Sequence, residues 1–193
     1  MLFQKSIGTL LGGAAVMLAA ASVAAPAALA ADPTDLVVTG GSVSVPSVTV
    51  GDLSGITLSG TTQNTNATVS AFSVTDSRGS GAGWHVTAEA TQFAEWDGTA
   101  YVASGKTLPA SSLSMTAPTV AANGTTSPDP SITSGPYAPD GGGAVTIASA
   151  ALDEGMGQYD FTPGASSLTL SVPASAYAKT YRSDVTVSVV TGP

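Results

Sequence analysis

Nine stretches of this chain alternate apolar with small polar side chains, and that period of two constrains the fold more than any other feature of the sequence. They are Val43-Ser-Val45, Val48-Thr-Val50, Ile56-Thr-Leu58, Phe72-Ser-Val74, Trp84 to Ala90, Leu113-Ser-Met115, Val145-Thr-Ile147, Leu168 to Val172 and Val185 to Val189. Successive side chains of a strand point to opposite faces, so each run puts one face into a core and leaves the other in water. Clusters of Gly, Pro, Asn, Asp and Ser separate the runs and supply turn chemistry. The pattern predicts an all-β fold, an antiparallel β-sandwich of about nine strands.

The chain has no cysteine, so no disulfide can staple this fold. Stability then has to come from one core, which about 160 residues are enough to build. Charged residues make up 9% and hydrophobic ones 43% of the chain, a balance that favours a packed domain over disorder.

Residues 1–30 read as a signal peptide. Lys5 precedes an uncharged apolar run from Ile7 to about Ala25, followed by Pro26 and the small-x-small pattern Ala28-Leu29-Ala30. Cleavage after Ala30 is expected, and retention as an anchor is the alternative that the length of the run leaves open. The mature domain is then 31–193. Without Lys5 it holds 13 acidic and 4 basic residues, a formal charge of −9. Such a chain repels nucleic acid and anionic membrane, and it has no second apolar span to make an integral membrane segment.

Two polar stretches interrupt the alternation. Residues 117–143 contain five of the prolines and one aromatic residue, Tyr137, and read as a long surface loop, an excursion in preference to a binding loop. The stretch "TTQNTNAT" reads as a polar connection.

Catalytic and metal chemistry find little footing. His85 is the sole histidine, turned by alternation away from the side of Trp84 and Val86, and no nearby Ser-x-Gly elbow or orienting acid accompanies it. One histidine and no cysteine leave no zinc or iron constellation, and no acidic loop has calcium-binding spacing, so neither a metal nor a cofactor is expected. Glu89, Glu95 and Asp97 are the one carboxylate cluster. A glycosidase would need two of them about 5 to 10 Å apart across a groove with one held protonated, and acids beside a turn read more simply as a solvated rim.

"DSRGSGAGWHV", residues 76–86, joins two alternating runs. Asp76 and the glycines supply a side-chain turn cap and positive φ angles, and the segment reads as a β-hairpin connection with Arg78 paired to Asp76. A strand, not a helix, follows the glycines, which excludes a phosphate-cradling loop.

"FSVTDSRGSGAGWHV" resembles the first signature of the WxL-domain proteins, secreted surface proteins of Gram-positive bacteria, in which a strand, a D-x-R-G turn and G-W-x-L recur. "GMGQY" from Gly155 and "LTLSVPASAYAKTYRSDVTVSVVTGP" to Pro193 are similar to the family's later motifs, in the same order. By motif match Asp76, Arg78, Gly79 and Gly83 form the turn, Trp84 takes the family's first Trp, and Val86 stands for its Leu. The second motif departs: its Trp and Leu positions fall on Val187 and Val189.

The resemblance implies a β-sandwich at the cell surface or wall that associates non-covalently with peptidoglycan or another wall glycan, alongside other surface proteins. An acidic protein can hold a glycan when aromatic rings stack on sugar faces. Trp84, Trp96, Tyr101, Tyr177 and Tyr181 are the available platforms, with Trp84 also a candidate for the core because it shares a face with Val86, Ala88 and Ala90. Trp96, beside Asp97-Gly98, sits at a turn and is the better candidate for an exposed ring. Leu108-Pro-Ala-Ser-Ser lacks the features of a sortase signal, so covalent attachment is not expected. The alternative to wall binding is a structural or adhesive subunit that assembles through strand edges or apolar patches.

Overall fold

A computed structural model of the protein describes residues 35–125 and 127–192, so the expected signal peptide lies outside the described residues. From Val38 onward the chain forms one compact unit. The described residues contain thirteen strands and no helix.

Two four-stranded antiparallel sheets face each other. In the first, β1 (Val43–Ser44) and β10 (Gly157–Thr162) flank β3 (Phe72–Asp76), and β7 (Thr119–Asn123) adds to β10. In the second, β4 (Trp84–Ala90) lies between β13 (Val185–Thr191) and β9 (Val145–Ala150), with β8 (Ser131–Ile132) beyond β9. A three-stranded sheet places β11 (Leu168–Val172) between β2 (Gln63–Ala67) and β6 (Leu113–Met115), and β5 (Ala94–Glu95) pairs with β12 (Tyr181–Arg182).

The expected alternation is present where it matters. Along β4, Trp84, Val86, Ala88 and Ala90 are all buried, and Phe72 and Val74 of β3 belong to the same buried core. Phe72 stacks on Phe161 at 5.0 Å, and Trp84 meets Tyr159 and Phe161 at 6.3 and 6.4 Å, which ties β3, β4 and β10 into one core. A bulge opposite Val86 and Thr87 shifts the parity of β9, so consecutive Ile147 and Ala148 both point inward.

Four expectations change. The strand count is thirteen instead of about nine, and Val48-Thr-Val50 and Ile56-Thr-Leu58 alternate without forming strands, save one bridge from Val50 to Val69. "TTQNTNAT" is not a mere connection: it contains β2, whose Thr65 and Ala67 are buried.

Residues 117–143 are not one loop. They hold β7 and β8, and they are pinned to the core where Tyr137 exchanges two 2.8 Å backbone hydrogen bonds with Met115. Buried Asp140 ties the end of the same stretch to β6, accepting hydrogen bonds from the backbone N–H groups of Ser112 and Leu113. Local sequence shows the prolines there but not these distant partners.

The fourth change concerns residues 77–83. They are not a hairpin, because β3 and β4 belong to different sheets and the segment crosses from one to the other.

Candidate functional site

The signature residues build the crossing between the sheets. Arg78 donates from Nε and Nη2 to both carboxylate oxygens of Asp76, at 2.9 and 2.7 Å, and from Nη2 to the Gly83 carbonyl at 2.7 Å. Asp76 also accepts from the Arg78 backbone N–H. These hydrogen bonds hold the buried Asp76 carboxyl below the usual carboxylate range, against the upward pull of burial. Gly79 and Gly83 take positive φ, and a Cβ on Gly83 would stand 2.5 Å from the Ala150 carbonyl oxygen. The Asp76 and Arg78 pairing is therefore present, within the turn of a crossing and not across a hairpin.

Trp84 follows directly and is fully buried, with its Nε1–H donating to the Gly155 carbonyl at 2.9 Å. Gly155 has φ of +69°, and a Cβ there would meet Trp84 Nε1 at 2.8 Å. The "GMGQY" stretch and the Gly-Trp stretch are thus two halves of one packing contact. This placement corrects Trp84 as a glycan platform, since its ring has no exposed face. Val86 is buried beside it, while Val187 and Val189 sit half-buried on β13, opposite Ala88 and Val86. His85 points to the other face of β4, where its Nδ1 donates to the Gly192 carbonyl at 3.0 Å.

The remaining aromatic candidates converge elsewhere. Trp96 follows β5, and a tight reversal capped by Asp97, whose Oδ1 accepts from the N–H groups of Thr99 and Ala100, returns the chain to Tyr101. Trp96 and Tyr101 meet edge to face at 5.1 Å. Tyr181 of β12 pairs with Glu95 in the neighbouring strand, and the Trp96 N–H donates to the Thr180 carbonyl, which locks the two segments together. The Tyr181 hydroxyl reaches the Tyr177 carbonyl at 3.2 Å, and Tyr177 is 57% exposed.

These segments border two adjoining clefts of 520 and 660 Å³ that share Leu53, Phe93, Thr180 and Tyr181. Trp96 and Arg182 line the first, Tyr177 and Lys179 the second. Apolar side chains form much of the walls, and Thr and Tyr residues that carry hydroxyls line them as well, a mixture suited to a ligand with apolar faces and polar edges. The hydroxyl of Tyr101 donates to Asp184 at 2.7 Å, and burial together with this carboxylate raises its pKa.

The carboxylates here have the wrong bias for acid catalysis. Glu95 accepts from the Lys106 backbone N–H and pairs with Lys179 at 2.9 Å, and these contacts lower its pKa. The turn N–H groups of Ala100 and Thr99 do the same for Asp97. Glu89 borders a different cleft with Asp140 and Asp184. No group of three or more His, Asp or Glu that could hold a metal occurs among the described residues.

The molecule thus belongs to the class of antiparallel β-domains with signature residues inside and a separate aromatic surface cleft. The family model described as "WxL domain surface cell wall-binding" matches residues 46–193, and the chain belongs to that family. It is accordingly a cell-surface or cell-wall protein with a wall-binding domain. No curated protein and no solved structure matches the chain.

Of the residues that the sequence singled out as platforms, Trp96, Tyr101, Tyr177 and Tyr181 come together and Trp84 does not. Sequence reasoning missed Phe93, which lines both clefts, Lys106, which stands over the Tyr177 ring, and Arg182, which lines the first cleft from within the stretch similar to the family's closing motif. The scarcity of basic residues was the one signal that could have drawn attention to the last two.

Proposed function

We propose that this protein attaches non-covalently to the peptidoglycan of the wall, without catalysis, through the aromatic cleft lined by Trp96, Tyr177 and Tyr181, with Tyr101 behind Trp96. The observation that carries this reading is the convergence of three rings, Trp96, Tyr177 and Tyr181, from two distant segments on adjoining clefts with mixed apolar and hydroxyl walls, with Tyr101 packed edge to face against Trp96. Membership in a wall-binding family supports the ligand, and the lowered carboxylate pKa values of Glu95 and Asp97 support binding without hydrolysis. Co-sedimentation with purified peptidoglycan in high salt tests it. Retention that falls in Trp96→Ala and Tyr177→Ala, with no soluble muropeptides released, is the expected result.

A second reading, a subunit that assembles with other surface proteins, is favoured by β13. This seven-residue strand pairs only with β4 among the described residues, and its run of Val, Thr and Ser carries no charge or proline that would block strand addition at that edge. Co-purification with a protein, with no retention on bare peptidoglycan, would select it.

A further inference from the structure

We propose that the cleft takes a glycan bearing an acidic group, with Lys106 and Arg182 supplying the counter-charge; this rests on the reading of the cleft as the wall-glycan site. The chain has 5 basic residues against 13 acidic ones. Lys5 lies outside the described residues, and Arg78 is spent on Asp76 in the crossing between the sheets. The other three, Lys106, Lys179 and Arg182, all stand at the aromatic corner. A protein with net charge −8 therefore concentrates its available cations at one place.

Their individual settings differ. Lys179 is held by Glu95 at 2.9 Å and is largely offset. Lys106 Nζ lies 4.4 Å from the centroid of the exposed Tyr177 ring and forms no ion pair among the described residues. The Arg182 guanidinium lies 4.4 Å from the centroid of Trp96. Its nearest carboxylate, Asp184, is 3.7 Å away with both side chains more than half exposed, and Asp184 already accepts the Tyr101 hydroxyl. Water screens such a pair strongly. Asp97 is occupied by its own turn, and Asp52 lines the cleft without an ion pair among the described residues.

A neutral sugar stacking on a ring gains nothing from a cation there and must compete with it for the ring face. A ligand with an anionic substituent gains both contacts at once: the sugar takes the ring, and the displaced cation takes the anion. In a wall that anion is either a stem-peptide carboxylate or the phosphate of an attached polymer.

Binding to three probes separates the possibilities: chitin oligosaccharide, which is neutral; peptidoglycan stripped of phosphate polymers; and unstripped wall. The expected result is tighter binding to an acidic probe than to chitin oligosaccharide at low salt, with the advantage fading as salt rises. Lys106→Gln and Arg182→Gln each lose about fivefold on the acidic probe, the scale of one exposed charge contact. The loss on chitin oligosaccharide is smaller than on the acidic probe, and Lys106→Arg and Arg182→Lys retain the preference. Preference for stripped peptidoglycan assigns the carboxylate; preference confined to unstripped wall assigns the phosphate. Equal, salt-independent binding of neutral and acidic probes, unchanged in both Gln variants, overturns the counter-charge and leaves the aromatic cleft intact. Failure to bind any probe overturns both.

Discussion

Trp84 and Trp96 lie twelve positions apart in the same stretch of chain and meet opposite fates. Trp84 is sealed between two sheets, its ring against Tyr159 and Phe161 and its N–H on Gly155. Trp96 stands at a turn, with an edge on Tyr101 and a guanidinium over its face. The difference comes from what precedes each ring. The Asp76, Arg78 and Gly83 crossing delivers Trp84 to the interior, whereas β5 is two residues long and ends at the cleft. A signature tryptophan can thus be a device of folding, while an unremarkable one next to Asp97-Gly98 lines a surface cleft.

The largest effect expected from breaking this contrast is in Trp84→Ala, which should cost about 3–5 kcal/mol of stability in urea unfolding. Gly155→Ala should destabilise in the same direction, because its Cβ has no room beside Trp84. Arg78→Ala leaves a buried carboxylate without its cation, an effect on the order of 3 kcal/mol by the same measurement. Trp96→Ala inverts the pattern: stability changes by less than about 1 kcal/mol, while peptidoglycan affinity drops about 30-fold in a sedimentation isotherm.

Acid sharpens the comparison further. The Asp76 carboxyl has a folded-state pKa below its unfolded value, so its contribution to stability is fully present above about pH 4 and fades as pH falls through the lowered folded value. Asp76→Asn should therefore lower stability at neutral pH and flatten the acid limb of a Tm-against-pH curve. The smallest effect is expected in Val187→Trp, which restores the second family tryptophan. Val187 is half-buried on β13 and does not line the clefts, so wall retention should stay within about twofold of the original.

The alternating runs made the all-β architecture legible, because a face of Trp84, Val86, Ala88 and Ala90 has few other solutions. Strands with weak apolar character escaped notice. β2 reads Gln-Asn-Thr-Asn-Ala and is held in place by its register with β11, a partner about a hundred residues away. The crossing at residues 77–83 was misread because a hairpin and a passage between sheets need the same glycines and the same cap, and only strand pairing distinguishes them. Trp96 was legible as a turn residue, yet its ring is half-buried between Tyr101 and Arg182 and not freely exposed, and the cleft was not legible, since much of its wall comes from residues 50–58, 93–96 and 176–185.

The crossing held by Asp76 and Arg78 performs, in a chain without cysteine, the office of a covalent clasp. A clasp made of charge ignores thiols and oxidants, so the domain should hold together in reducing and oxidising surroundings alike. Its weakness is protons: an acidifying medium, unable to touch a sulfur bridge, would loosen this one first.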